Sequence, residues 1–286
     1  MSAVLDAPRA VAPPRAAASP RRRAAWAGRA RAAALATLSL VACLALWHLA
    51  ATRHWDLGVL SFRLVPPPLE VLQAAWDLLH SPRLAQHLGY SLWRVASGFV
   101  AAAILGIVLG LLIGRLRWAR AGLLPPLEVL RPIPAVAWIP LSILMFPSSE
   151  LSMIFITFVG ALFPVLLNTV HGAEAVDRRL VAAARSLGTR PDRLFLQVVL
   201  PSAAPAIVTG LSIGMGTCWF CLVSAEMISG QYGIGYYTWA SYTVQDYASI
   251  VVGMLLIGVL GMGSSVLIRA GGRALMPWQR IVEERA

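Results

Sequence analysis

Six long apolar stretches, nearly free of charge, occupy much of this 286-residue chain and dictate the solvent it folds in. They cover 32–50, about 92–114, about 131–147, 151–170, about 204–227 and about 248–268. A helix needs about 20 apolar residues to cross the hydrocarbon core of a bilayer. Only 13% of the residues are charged against 58% hydrophobic, about half the charge share of a soluble domain. One water-soluble core would not bury so much apolar surface. The predicted fold class is therefore an all-α membrane protein with about six transmembrane helices. The third stretch carries Pro132, Pro134 and Pro140 and is predicted as a span broken near one end, since each proline removes a helix hydrogen bond.

The net charge of +11 raises nucleic acid as a partner, but the distribution argues against it. A nucleic-acid binder needs a basic face with polar or aromatic interleaving. Here the arginines sit in short clusters between apolar runs. Seven precede the first stretch (Arg9, Arg15, Arg21, Arg22, Arg23, Arg29, Arg31). Arg115, Arg117 and Arg120 follow the second, Arg178, Arg179, Arg185, Arg190 and Arg193 follow the fourth, and Arg269, Arg273, Arg280 and Arg285 follow the sixth. The alternate loops hold only Arg53, Arg63 and Arg83. Positive charge stays on the cytoplasmic side, so both termini are expected there. No lysine occurs anywhere. A Walker A site needs one to reach the nucleotide phosphates, so ATP-driven work would require a partner to bind the nucleotide.

The chain divides by composition into an Arg/Ala/Pro-rich tail at 1–31, a first span and outer loop at 32–64, a core at 65–275 and a second tail at 276–286. The first tail reads as disordered; a transit peptide or a cleaved signal peptide is the alternative. Residues 67–80 carry an amphipathic helical pattern too short to span, expected to lie along the interface. The stretch 229–246, rich in Gly, Tyr and Trp, reads as a re-entrant turn or an aromatic belt. Gly98, Ala102, Gly106, Gly110 and Gly114 recur every four residues, a small-residue stripe that lets helices approach closely. Cys218 and Cys221 have CxxC spacing, but no second pair or nearby His completes a site, and they read as buried small hydrophobes.

Non-helical backbone at membrane depth is tolerated where it is buried in protein or lines a cavity. Arg131, Pro134, Trp138 and Pro140 are therefore candidates for a translocation pathway, with a simple bend as the alternative. Arg94 and Glu226 join them as ionisable groups near membrane level. Arg94 either attracts an anionic solute or anchors its helix at the headgroups.

The loop after the fourth stretch carries the most information. Residues 175–187 suit a helix with Leu180, Ala184 and Leu187 on one face. Gly188 suits a left-handed C-terminal cap. Thr189 and Asp192 offer a capping box, Pro191 fits a first helical turn, and Pro201 reads as a break. The second helix would present Leu194, Phe195 and Val198 between Arg190 and Arg193, an amphipathic element suited to docking on a partner.

This loop resembles that of the bacterial importer permeases: Glu-Ala-Ala, three residues, Gly, nine residues, Ile, one residue, Leu-Pro. The match falls on Ala183, Ala184, Gly188, Leu200 and Pro201, with Val198 in place of Ile and Ala182 in place of the usual Glu. The segments Arg94–Phe99, Arg131–Pro134 and Ala137–Leu141 are similar to the nitrate/sulfonate/taurine branch. The resemblance covers about 65–275. It implies a type I ABC importer permease fold and no enzymatic activity of the chain's own. It implies a partner ATP-binding cassette ATPase dimer carrying ATP and Mg, a second permease copy forming a homodimer, and a periplasmic substrate-binding protein. It places the chain in the bacterial inner membrane, with 189–199 as the coupling helix and a small anion such as a sulfonate, taurine or nitrate as solute.

Two other classes compete. A secondary transporter needs intramembrane ionisable groups for proton or sodium coupling, which these stretches hardly contain. A membrane enzyme or haem protein needs paired acids or facing histidines, yet His48, His54, His80, His87 and His171 lie at stretch ends or in loops.

Overall fold

The structure, a computed structural model, describes residues 20–278, with side chains from residue 31 on. The chain forms two compact units, one up to Pro68 and one from Leu69 on. In the first, α1 (Pro20–Thr52) carries the first apolar stretch, long and apolar enough to cross a membrane over Arg31–Thr52. Leu38, Leu40, Val41 and Leu44 stay exposed, which fits a helix whose solvent is lipid. The chain then folds back, so that Trp47 Nε1 donates to the Pro66 carbonyl at 3.1 Å.

The second unit is helical throughout its described residues. The amphipathic pattern at 67–80 becomes α2 (Pro68–Leu79), which buries Val71 and Leu78. Ser81 caps α3 (Pro82–Arg115), its hydroxyl accepting from the Arg83 amide with Pro82 in the first turn. Then come α4 (Arg117–Leu130), a 3-10 turn (Ala135–Trp138), α5 (Ile139–Met145) and α6 (Ser149–Glu174). Next are α7 (Arg178–Ser186), α8 (Pro191–Leu194), a π turn (Phe195–Val199) and α9 (Leu200–Ser229). The unit closes with α10 (Ile234–Thr243) and α11 (Tyr247–Leu275).

Helix α6 is the axis of this unit, packed between α3 and α9, and glycines set the distance. A Cβ on Gly106 would lie 3.0 Å from Val165, one on Gly110 2.6 Å from Thr169, and one on Gly114 2.6 Å from Ala173. On the other face, a Cβ on Gly160 would lie 2.6 Å from Cys221 Sγ and one on Gly210 2.7 Å from Asn168. Lipid gives no hydrophobic drive between helices, so such close approach supplies the dispersion contact that holds them. Cys218 and Cys221 are buried and free, packed among Val95, Met153 and Trp219. Gly110→Leu is expected to cost about 1–3 kcal/mol by overpacking. Gly258→Leu should be nearly neutral, since nothing lies within 4 Å of its would-be Cβ. Melting temperatures in detergent check the contrast; equal values would remove the stripe's packing role.

The third span departs from its sequence expectation. Residues 131–147 do not form one broken span. Their helical part, 135–145, covers only about 16 Å at 1.5 Å per residue, half the hydrocarbon thickness. It reaches span length only together with α4, to which it is bent by 84°. Arg131 keeps helical angles (φ −54°, ψ −43°), but Pro132 and Pro134 offer no amide hydrogen to carry the helix on, so the chain turns over Arg131–Pro134. The described residues thus hold five helices long and apolar enough to cross a membrane, or six if the bent pair counts as one.

Candidate functional site

Two places concentrate the polar chemistry, at opposite ends of α6. The first surrounds Arg94. Ser91 and Arg94 stand three residues apart on one face of α3, Glu150 lies in the first turn of α6, and Glu226 ends α9. Arg94 and Glu226 are each 0% exposed. Arg94 Nε donates to Glu150 Oε2 at 2.9 Å, and Nη2 bonds Glu150 Oε1. Nη1 donates to Glu226 Oε1 at 2.8 Å and to the Tyr232 carbonyl at 2.5 Å. Four of the five guanidinium donors are therefore used. The Tyr90 ring lies 5.3 Å from the guanidinium carbon, a cation–π distance.

The same cluster ties down the turn between α9 and α10. Glu226 Oε1 also accepts from Ser91 Oγ at 2.8 Å, and Oε2 from the Gly235 amide at 2.9 Å. Ser91 Oγ accepts from the Ile234 amide at 2.9 Å, and His87 Nδ1 from the Gly233 amide at 3.0 Å. Gly233 has φ 135°, and a Cβ there would collide with the Glu226 carboxyl group. Only glycine meets both conditions. Arg94 is thus neither a headgroup anchor nor a cation facing solvent. Sequence reasoning missed Ser91, His87, Glu150 and Gly233; the i,i+3 spacing of Ser91 and Arg94 was the one available signal.

The bent segment holds the other pathway candidates. Arg131 caps the end of α4, Pro134 opens the 3-10 turn and Pro140 sits in the first turn of α5. Trp138 packs edge-on against Phe155 at 6.5 Å. Its indole Nε1 is the one buried side-chain polar atom among the described residues with no hydrogen-bond partner. Arg131, Pro134, Trp138 and Pro140 therefore share one segment, while Arg94 and Glu226 belong to the cluster described above.

The second place is the segment from α7 to α9. Asp177 caps α7 by accepting from the Arg179 amide at 2.8 Å. Ala183 is exposed and Ala184 half-buried on α7. Gly188 has φ 73° with nothing near its would-be Cβ, the left-handed cap expected of it. The expected capping box does not form. Pro191 occupies the first helical position, which makes Arg190 the N-cap, without a side-chain bond, and moves Asp192 one place too early to reach back to Thr189. Asp192 instead pairs with Arg190 at 3.7 Å, both exposed, an interaction worth little; Arg193 beside them is exposed.

Nor does Pro201 break the chain. The π turn carries Phe195–Val199 straight into α9, with the Leu200 amide bonded five residues back to Phe195. The widened turn relieves the clash that a proline ring makes with the carbonyl four residues earlier. Leu200 and Pro201 are half-buried at this junction. Leu194 does not face outward as the pattern implied: it is 5% exposed and anchors the segment. Phe195 is half-buried, and the large apolar side chains left outside are Leu180 (55%) on α7, Leu187 (86%) and Leu196 (60%). No group of three His, Cys, Asp or Glu able to hold a metal occurs among the described residues.

Residues 102–281 match the family described as binding-protein-dependent transport system inner membrane component. An ABC transporter permease protein, so named, of Methanocaldococcus jannaschii is 41% identical over 173 residues, covering 60% of this chain and 65% of that one, just under two thirds of its length. A nitrate import permease protein of Synechocystis is 35% identical over 207 residues, 69% of this chain and 75% of that one. A permease protein named for aliphatic sulfonates transport in Escherichia coli is 38% identical over 235 residues, 82% of this chain and 88% of that one.

Proposed function

The chain belongs to the family of binding-protein-dependent transport inner membrane components, and from that premise we propose that it carries a small oxyanion, a sulfonate, taurine or nitrate, through a homodimeric pore. As a multi-pass permease component of an ABC importer it does not hydrolyse ATP itself; a separate ATPase and a binding protein complete the system. This disfavours a proton- or sodium-coupled carrier. Nucleotide and Mg belong to the ATPase in this reading, and both termini face it from the cytoplasm.

The observation that carries the site assignment is the exposed segment around and after Gly188, with Leu187 before the turn and Leu196 beyond it both outward and Arg190 and Arg193 between them. Such a short amphipathic element, rigidly continuous with α9, moves α9 whenever its socket moves. A socket that binds it differently in two nucleotide states would shift the permease between two conformations. At the opposite end of α6 the Arg94 cluster locks the turn into α10, so Arg94 and Glu226 shape the outer gate without touching solute.

In this reading Trp138 meets the solute. Its buried indole N–H has no acceptor here, which is costly, and a conformational change that opens the bent segment would let a passing oxyanion supply one. Nitrate and sulfonate import by two relatives support this class of solute. The test is uptake of labelled taurine, alkanesulfonate and nitrate by cells expressing the chain with its own ATPase and binding protein. One of these anions should accumulate, and Trp138→Phe should slow its uptake about tenfold, the worth of one hydrogen bond to a charged group, with ATPase association unchanged. Uptake of a neutral or cationic solute alone would overturn the reading.

A further inference from the structure

Two clefts open at the end of the bundle that holds the Arg94 cluster, and their charges differ. One, of about 480 Å³ beside α2, α10 and α11, is lined by Glu70, Asp77 and Asp246. The other, of about 460 Å³, lies between the first turns of α3 and the turn from α9 into α10. Among the described residues no carboxylate lines it. Its walls are Arg83, Gln86 and His87 on one side and Gln231, Tyr232 and Tyr236 on the other. The i, i+3, i+4 spacing puts the three α3 residues on one helix face.

The polar groups of this second cleft can all donate, and the protein leaves them available. Arg83 forms no ion pair among the described residues. The hydrogen bonds at this end use Ser91, Arg94, Glu150, Glu226 and His87. The Gln86 and Gln231 amides and the Tyr236 hydroxyl are left without a protein partner among the described residues. His87 Nδ1 accepts from the Gly233 amide at 3.0 Å, so the ring carries its proton on Nε2 as a further donor. The carboxylates behind the cleft are already spent: Glu226 serves three donors and Glu150 serves Arg94. The aromatic walls are held in place. Tyr232 stacks on Tyr90 at 5.3 Å, and His87 on Tyr236 at 6.4 Å.

We propose that this cleft is the permease's receiving site for its solute, and that the solute is an organic oxyanion of the sulfonate class. The proposal rests on the transport reading above, in whose orientation this is the outer end. Arg83 supplies the charge, and the Gln86, Gln231 and Tyr236 donors meet the remaining oxygens. The three carboxylates of the neighbouring cleft repel an anion, so the basic cleft is the one that retains it. Size separates the candidate anions. Liquid water takes about 30 Å³ a molecule, so a four-atom ion such as nitrate would leave most of the space to solvent. An organic substituent fills it against the His87, Tyr232 and Tyr236 rings. Tyr232 also links the cleft to the Arg94 cluster, because its carbonyl accepts from Arg94 Nη1. A solute held here touches the turn that the cluster locks.

The test is a ligand-observed NMR titration of the full-length chain in detergent with ethanesulfonate, nitrate and ethylammonium. Ethanesulfonate should bind more tightly than nitrate, and ethylammonium should not bind. Arg83→Gln should weaken ethanesulfonate about fivefold, the upper worth of a solvent-facing charge pair. Tyr236→Phe, which removes only the hydroxyl, should weaken it about threefold. Arg83 is exposed, so its variant keeps the fold. Arg53→Gln, at an exposed arginine outside the cleft, should leave the affinity unchanged. Three results would each overturn the proposal: no saturable ethanesulfonate binding, equal affinity in wild type and both cleft variants, or the same loss with Arg53→Gln. Anion uptake by the intact system alongside any of them would sink the cleft alone and leave the transport reading standing.

Discussion

Glu226→Ala is expected to leave little folded protein after detergent extraction. The carboxylate is fully buried and accepts from Ser91, Arg94 and the Gly235 amide. Removing it takes one of the two carboxylates from the buried Arg94 and leaves the Ser91 hydroxyl proton and the Gly235 amide without acceptors away from water. Breaking one side of a buried ion pair costs about 3–5 kcal/mol, a large part of the stability of most domains. Arg94→Ala should be comparably damaging, since it strands Glu226 and releases Glu150 from α3. The double variant should cost clearly less than the sum, because each single change already breaks the shared pair. Melting curves of the four proteins in one detergent measure this coupling. Additive losses, or a Glu226→Ala protein melting with wild type, would show that the cluster does not hold the bundle together.

A second large effect is expected at the other end, with the opposite signature. Leu196→Asp, alone or with Leu187→Asp, should abolish co-purification of the ATPase and uptake with it, while the melting temperature stays at the wild-type value. Both side chains are exposed, so a charge there costs the isolated permease nothing. At an interface, anchor residues in desolvated pockets are worth at least about 2 kcal/mol each. Arg193→Glu should weaken the same complex if acidic groups face it. Leu194→Asp serves as the contrast, because its side chain is buried and its loss should lower stability first. Gly188→Val should also uncouple, since a β-branched residue is strained at φ 73° and the segment would leave α7 in another direction. Full ATPase recovery with all of these variants would remove the segment from the coupling path.

How much of this was legible beforehand depended on the range of each interaction. The apolar stretches were readable because hydropathy is a property of consecutive residues, and bilayer thickness converts it to helix length. Gly188 was readable because the need for a left-handed cap is local. The capping box was misread within the same few residues: a proline at the first helical position decides the register, and the pattern alone offered two. The orientation of Leu194 was misread for a related reason. An isolated amphipathic helix presents its apolar face to whatever is near, and here part of that face is taken by the permease itself. The third span failed on geometry, since composition does not report a bend of 84°.

The sequence by itself determined the membrane environment, the glycine stripe, the arginine-rich segments and the Gly188 turn in the loop proposed to dock, because each is encoded in neighbours along the chain or in a four-residue period. Only the tertiary structure decided what Arg94 does. Its partners lie 56 and 132 residues away, and nothing in the local pattern distinguishes a snorkelling arginine from a buried one. In a low-dielectric interior a charge is tolerated only where other groups complete its hydrogen bonds, and those groups come together only when α3, α6 and α9 pack.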